Sequence, residues 1–481
     1  MTSGARGDES ADTADLVHLN GIDALTGQAL VPPLSSEKLA ELAGDESVDH
    51  LAREWVARFD RGTRQQSWGL PEGVSATSIR EAGWAIVFHS AESDEVRNAL
   101  KPLVEHRQQQ IGDDARVKVL DYREGETGRS WLVRHGVGAG TVDPTKVPYY
   151  LLLIGSPERI PFIVGQHLDV EYAVGRLHFD DPADLAGYVE RLLAYEGGST
   201  SPRARAAVFF GPHHDPATAL SSEHFLDPLA RWVASPESGL DYHVDSVLAD
   251  KATKHQLVGI LDVAPERGPA LLFTASHGVG YPRGHGLQRA KQGALLCHGW
   301  PGSGAVADED LFAGSDVPPS EGVTGVVTFH FACYGAGTPA VDRFIHTPGE
   351  MPPRIADQPF IAALPMTLLA HGALACIGHV ERAWGHSFMT PGAGDQLQPF
   401  RNVIARILRG LPVGYATTDL NERYAALSTD VAALVEDFQN GKQGSSQELA
   451  AAWTARNDAE GYVVLGDPAV CVRVGDLRPV S

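Results

Sequence analysis

Thr274-Ala275-Ser276-His277-Gly278 and Phe331-Ala332-Cys333-Tyr334-Gly335 are the two stretches that decide how this chain reads. Each closes an apolar run, 269–273 before the first and 323–331 before the second, with the character of a strand buried on both faces. The histidine and the cysteine stand 333 − 277 = 56 positions apart. A thiol is a useful nucleophile only as thiolate or beside a base, and a histidine near it in space supplies that base. Glycine close after each residue lets a backbone approach and leaves amide N–H groups to hold an oxyanion.

Outward from these two segments, largely apolar runs at 84–88, 117–120, 149–154, 206–210, 373–377 and 462–465, and the segment around 243–247, read as strands. Helical spacing is found at 35–59, 94–109, 181–195, 225–234, 254–264, 401–411 and 431–455. Buried strands alternating with helices give an α/β class with a mostly parallel sheet covered on both faces. The spacing divides the chain into a partly disordered, partly helical N-terminal extension (1–80), a smaller α/β subdomain (81–200) and a larger one that carries both key segments (201–481). Residues 283–325, rich in Gly, Pro and Asp, are the one long irregular stretch, placed to shape a site at the strand ends.

Composition narrows the function. The chain has 481 residues, 43% of them hydrophobic, and no apolar run of the ~18 residues needed to cross a membrane. A net charge of −22 disfavours nucleic acid or an anionic membrane surface as partner. The start of the chain, 1–16, is polar and acidic. It reads as a disordered tail rather than a secretory signal, so a cytoplasmic location is expected. Four cysteines (Cys297, Cys333, Cys376, Cys471) without a Cys-x-x-Cys pair fit neither a disulfide scaffold nor a zinc site, and suit a reducing compartment.

The chain resembles the gingipain-like cysteine peptidases, relatives of the caspases. The resemblance rests on ordered segments: Tyr150-Leu151-Leu152-Leu153-Ile154-Gly155 with Ile160-Pro161, Val174-Gly175-Arg176 and the helix after it, Ser276-His277-Gly278, Ala332-Cys333, Ile377-Gly378, and Leu465-Gly466-Asp467-Pro468. It implies two α/β subdomains side by side, the second caspase-like, with the site at the C-terminal strand ends. It implies a cysteine endopeptidase that cuts a protein or peptide substrate with a Cys-His dyad and no cofactor or metal. His277 would be the base, Cys333 the nucleophile, and the N–H groups of Gly278 and Cys333 the oxyanion donors. The absence of a signal implies an intracellular bacterial relative of regulatory or defence type, with room for an activating protein partner. Residues 1–80 or 283–325 are candidates to block its cleft.

Substrate binding is less defined. Phe331 stands two residues before the cysteine, where caspases carry Gln. Asp215 and Glu223 are the candidates for an acidic specificity residue in the loop after 206–210. Trp384 is placed like the aromatic that walls the pocket in such enzymes. Cys297, Cys376 and Cys471 lack the context of Cys333 and read as structural. His330 falls on the opposite face of its strand and reads as core. His213-His214-Asp215 reads as a polar loop rather than a metal site. Two alternatives stay open: a catalytically silent scaffold or binding module of the same fold, and a metal-dependent hydrolase using the His-rich loop.

Overall fold

Ten strands, eight of them apolar and buried along nearly their whole length and the two at the edges partly exposed, assemble into one sheet in the computed structural model. The structure describes residues 16–17, 20–45, 69–138, 140–342, 344, 350–390, 394–442 and 445–480. In chain order the strands are β1 (Trp84–His89), β2 (Val117–Tyr122), β3 (Tyr150–Ile154), β4 (Ala173–Leu177), β5 (Ala206–Gly211), β6 (His243–Leu248), β7 (Leu271–Ala275), β8 (Val327–Phe331), β9 (Ala375–His379) and β10 (Tyr462–Gly466). Their order across the sheet is β2-β1-β3-β4-β10-β9-β8-β7-β5-β6. Every pairing is parallel except β9 with β10. The fold is therefore α/β, a large and mostly parallel sheet flanked by helices.

The helices used below are α1 (Ser36–Asp45), α2 (Asp94–Ile111), α3 (Pro182–Glu196), α4 (Pro216–Ser221), α5 (Gln398–Leu408), α6 (Thr418–Gln439) and α7 (Ser445–Gly461). Local chemistry sets their ends. Ser93 caps α2 through the Val96 N–H, and the first turn carries Asp94 and Glu95 against the helix dipole. Asp181 caps α3 with Pro182 in the first helical position.

The element predictions at 84–88, 117–120, 206–210 and 243–247 lie within observed strands, which run one or two residues further. Two readings change. The 173–177 segment is a strand, although Gly175 sits inside it: its Cα faces the Gly466 carbonyl and Pro468, where a Cβ would come within 2.3 Å of the carbonyl oxygen. The 431–455 helix is two helices, because the chain leaves α6 at Asn440 and turns through Gly441 at φ 74°. Of the helical reading at 35–59, residues 36–45 form α1; residues 46–68, and the tail at 1–15, lie outside the described residues.

Strands β1–β4 form one half of the sheet and β5–β9 the other. The last strand, β10, enters between them, parallel to β4 and antiparallel to β9. A buried network fastens this seam to the helices. Arg107 of α2, fully buried, meets Glu196 at the end of α3 (2.7 and 2.8 Å) and Asp467 just past β10 (2.8 and 3.0 Å). Trp84 Nε1 and the Ala469 N–H donate to the other oxygen of Asp467, both at 3.0 Å. No helix among the described residues is long and apolar enough to cross a membrane.

Candidate functional site

The parallel register of β7 and β8 pairs Leu271 with Val327, an offset of 327 − 271 = 56, and ends at Ala275 with Phe331. The same offset separates His277 and Cys333, so each lies two residues beyond the last pair, at the same height on neighbouring strands. Strand β5, on the other side of β7, runs on into Asp215. Strand β9, on the other side of β8, runs on into Ala383 and Trp384. Four adjacent strands thus deliver their C-terminal loops to one place, the end of a parallel sheet where open α/β folds bind ligands.

The imidazole of His277 is 1% exposed and held at both nitrogens. Nδ1 accepts from the Gly21 N–H (3.0 Å). The proton therefore sits on Nε2, which donates to Asp215 Oδ2 (2.8 Å). Asp215 also caps α4, its Oδ1 accepting from the Thr218 N–H (2.9 Å). Burial by itself would raise the Asp215 carboxyl, but His277 and Thr218 outweigh it and hold it far below the usual carboxylate range.

Cys333 is fully buried. Its thiol donates to the Asn20 carbonyl (2.8 Å) and accepts from the Ala383 N–H (3.3 Å). Burial pushes this thiol up to about 12, against the weaker opposing pull of the Ala383 N–H and Arg382. The residue after it, Tyr334, has φ 58°, an uncommon conformation for a bulky side chain and one that turns the chain sharply out of β8. Gly278 is required for close approach: a Cβ there would lie 1.8 Å from the Cys333 carbonyl oxygen. The backbone that this glycine admits is the cysteine's own. Among the described residues, neither the Gly278 N–H nor the Cys333 N–H donates a hydrogen bond.

The N-terminal segment runs over this floor. Ile22–Asp23 pairs in parallel with Val279–Gly280, and Leu16–Val17 pairs with Leu34–Ser35 on the returning arm. One flank packs Ile22 and Ala24 against Val279, Tyr281, Leu296 and Trp300, the last two from the irregular 283–325 stretch. The other packs Val17 and Val31 with Phe344, Trp384 and Trp453. Between the flanks, Asn20 (4% exposed) and Gly21 cross the gap between thiol and imidazole.

Several substrate-binding expectations change. Asp215 is not a free pocket carboxylate, since one oxygen pairs with His277 and the other caps a helix. Glu223 is exposed in the short π-helical segment that follows α4. Phe331 does not line the cleft: it is the last residue of β8, and its ring is fully buried against Phe225 and Phe388. Trp384 reaches the neighbourhood of Cys333 through the adjoining Ala383, but is fully buried against Phe344 (ring centroids 4.6 Å apart). His330 is buried, with Nδ1 2.9 Å from the Thr274 hydroxyl. Among the described residues no group of three His, Cys, Asp or Glu side chains could hold a metal ion.

Reading the sequence missed Asn20, Gly21 and Ala383. The only local signal for the first two is an Asn-Gly pair followed by Ile22; nothing in it points across 313 positions to Cys333.

No family model matches the chain. Among solved structures it is similar to one described as a protease (12% identity, TM-score 0.44, covering 81% of this chain and 78% of the other). It is also similar to a complex of Porphyromonas gingivalis RgpB pro- and mature domains (13%, TM-score 0.45, 82% and 80%). A third similarity is to the Saccharomyces cerevisiae separase–securin complex (9%, TM-score 0.30, 66% and 16%). Among curated proteins it matches the chloroplastic fructose-bisphosphate aldolases 1 and 2 of Pisum sativum, 35% and 32% identical over 95 residues. The match spans 18% of this chain and about a quarter of those relatives' length (26% and 27%).

Proposed function

We propose that the chain is a cysteine endopeptidase of caspase-like, gingipain-like type, with Cys333 as nucleophile, His277 as general base and acid, and Asp215 holding the imidazole. One observation carries the reading. The β5, β7 and β8 ends bring a carboxylate, an imidazole and a thiol into one row, and a peptide segment of the chain lies between thiol and imidazole. In turnover His277 Nδ1 takes the thiol proton, the thiolate attacks a peptide carbonyl, and the Gly278 and Cys333 N–H groups hold the oxyanion. The imidazole then protonates the leaving amine, and water releases the acyl group. Asp215 fixes the tautomer that leaves Nδ1 free to take a proton. The function is that of a bacterial cytoplasmic regulatory or defence peptidase acting on a protein or peptide substrate, with an activating partner.

A silent scaffold is the second reading, favoured by one fact: the thiol is sealed and its acidity suppressed. The test is to incubate the protein and its Cys333→Ala variant with a proteome-derived peptide library and read new termini by mass spectrometry. New termini from the parent alone support the peptidase. None from either, with no selective labelling of Cys333 by an electrophile, leaves the scaffold.

A further inference from the structure

The segment over the site does more than cover it. The Asn20 carbonyl lies on the Cys333 thiol and the next nitrogen, Gly21 N, lies on His277 Nδ1. These are the two ends of one peptide bond. In peptide hydrolysis by a Cys-His pair, the attacked carbonyl must lie beside sulfur and the departing nitrogen beside imidazole. Of all the bonds in the described chain, Asn20–Gly21 is the one so placed. We infer that Asn20–Gly21 is a substrate bond of this site, cut by the protein in itself. The inference rests on the peptidase reading above and names its substrate.

Two further features fit a seated substrate. Asn20 is 4% exposed, so the residue before the cut is enclosed by protein. Gly21 has φ +109°, and a Cβ there would stand 3.0 Å from Cys333 Sγ and 2.8 Å from Leu30 Cδ1. The position after the cut therefore demands glycine.

The step balances without any co-reactant but water. Gly21 N–H first releases Nδ1, which takes the Cys333 proton. A bond forms from sulfur to the Asn20 carbonyl carbon, giving a tetrahedral adduct. As the nitrogen pyramidalises, its lone pair receives the proton from Nδ1, and the C–N bond breaks. Gly21 becomes a free amine and Asn20 a thioester. Water adds to the thioester with His277 as base, leaving an Asn20 carboxylate and the thiol. In the resting arrangement Nδ1 is occupied by the Gly21 N–H and the thiol proton by the Asn20 carbonyl, so the cut is slow until that pair of bonds opens.

The test is intact-mass analysis of the full chain over time, alongside Cys333→Ala and a peptide library added in trans. The expected result is a new N-terminus at Gly21 in the parent, none in Cys333→Ala, and a cut fraction that does not depend on protein concentration. Gly21→Ala should slow the cut, because a Cβ there meets Leu30 and the Cys333 sulfur. If the parent stays intact while it hydrolyses library peptides, the segment is an inhibitor and this inference fails while the peptidase stands. A thiol-dependent cut at another bond has the same meaning. The same cut in Cys333→Ala overturns this inference alone, and an intact parent that hydrolyses nothing and whose Cys333 no electrophile labels overturns both.

Discussion

Two ion-pair sites of this protein make opposite use of the same chemistry. At the seam, Arg107 spends its guanidinium on Glu196 and Asp467, and the carboxylates take further donors from Trp84, Ala469 and His106. Those partners come from α2, α3, β1 and the turn after β10, elements that cannot part without opening the sheet. At the strand ends, Asp215 and His277 are also paired, the imidazole buried and the carboxylate partly exposed, but the other imidazole nitrogen is held by Gly21, on a segment packed over the strand ends. A pair closed on itself fixes the fold. A pair whose last bond goes to a removable segment is left able to exchange a proton.

The sharpest way to break this comparison is at the thiol. Cys333→Ala should lower peptide turnover by at least about 10⁴-fold, measured on a peptide found with the parent, while thermal melting stays near the parent's. Next comes Asp215→Asn. Asparagine still caps α4, so the helix is kept. The amide turns the imidazole to the wrong tautomer, and kcat/KM should fall by about 10²–10⁴ with little change in melting. Activity that survives unaltered would remove Asp215 from the site.

At the seam the same kind of change should act on stability. Arg107→Ala leaves two carboxylates buried without their cation and should cost about 3–5 kcal/mol in urea unfolding. The smallest effect is acid dependence. Burial would raise the Glu196 carboxyl, but Arg107 and His106 outweigh it and bring it down to about 2 from 4.5. A folded value below the unfolded one stabilises above the unfolded value and is lost as pH falls through the folded one. Between about pH 4.5 and 2 the parent should therefore lose about 1–3 kcal/mol that Glu196→Gln does not. Parallel acid curves for the two proteins would show that the pairing adds nothing.

Much of the architecture was legible because buried strands advertise themselves. Trp84–Phe88 and Tyr150–Ile154 are continuous apolar runs, and the His277 and Cys333 segments end two more. Their 56-residue offset is the parallel register itself, so the pairing of these residues was encoded in their spacing. The specificity residues were less legible. Asp215 was found, but as a substrate-binding acid, since a sequence does not say whether a carboxylate faces a cleft or an imidazole. Phe331 was misread because the rings that bury it, Phe225 and Phe388, come from distant parts of the chain.

The sequence by itself determined the α/β class, the two segments that end in His277 and Cys333, and the elements that carry them, because strand burial and helix capping are local and periodic. Only the tertiary structure decided that β10 joins the halves and that Arg107 meets Asp467 across 360 positions. It also decided that Asn20 and Gly21 lie between thiol and imidazole. Those contacts follow from loop closure and packing over long stretches of chain, which leave no periodicity in the residues that make them.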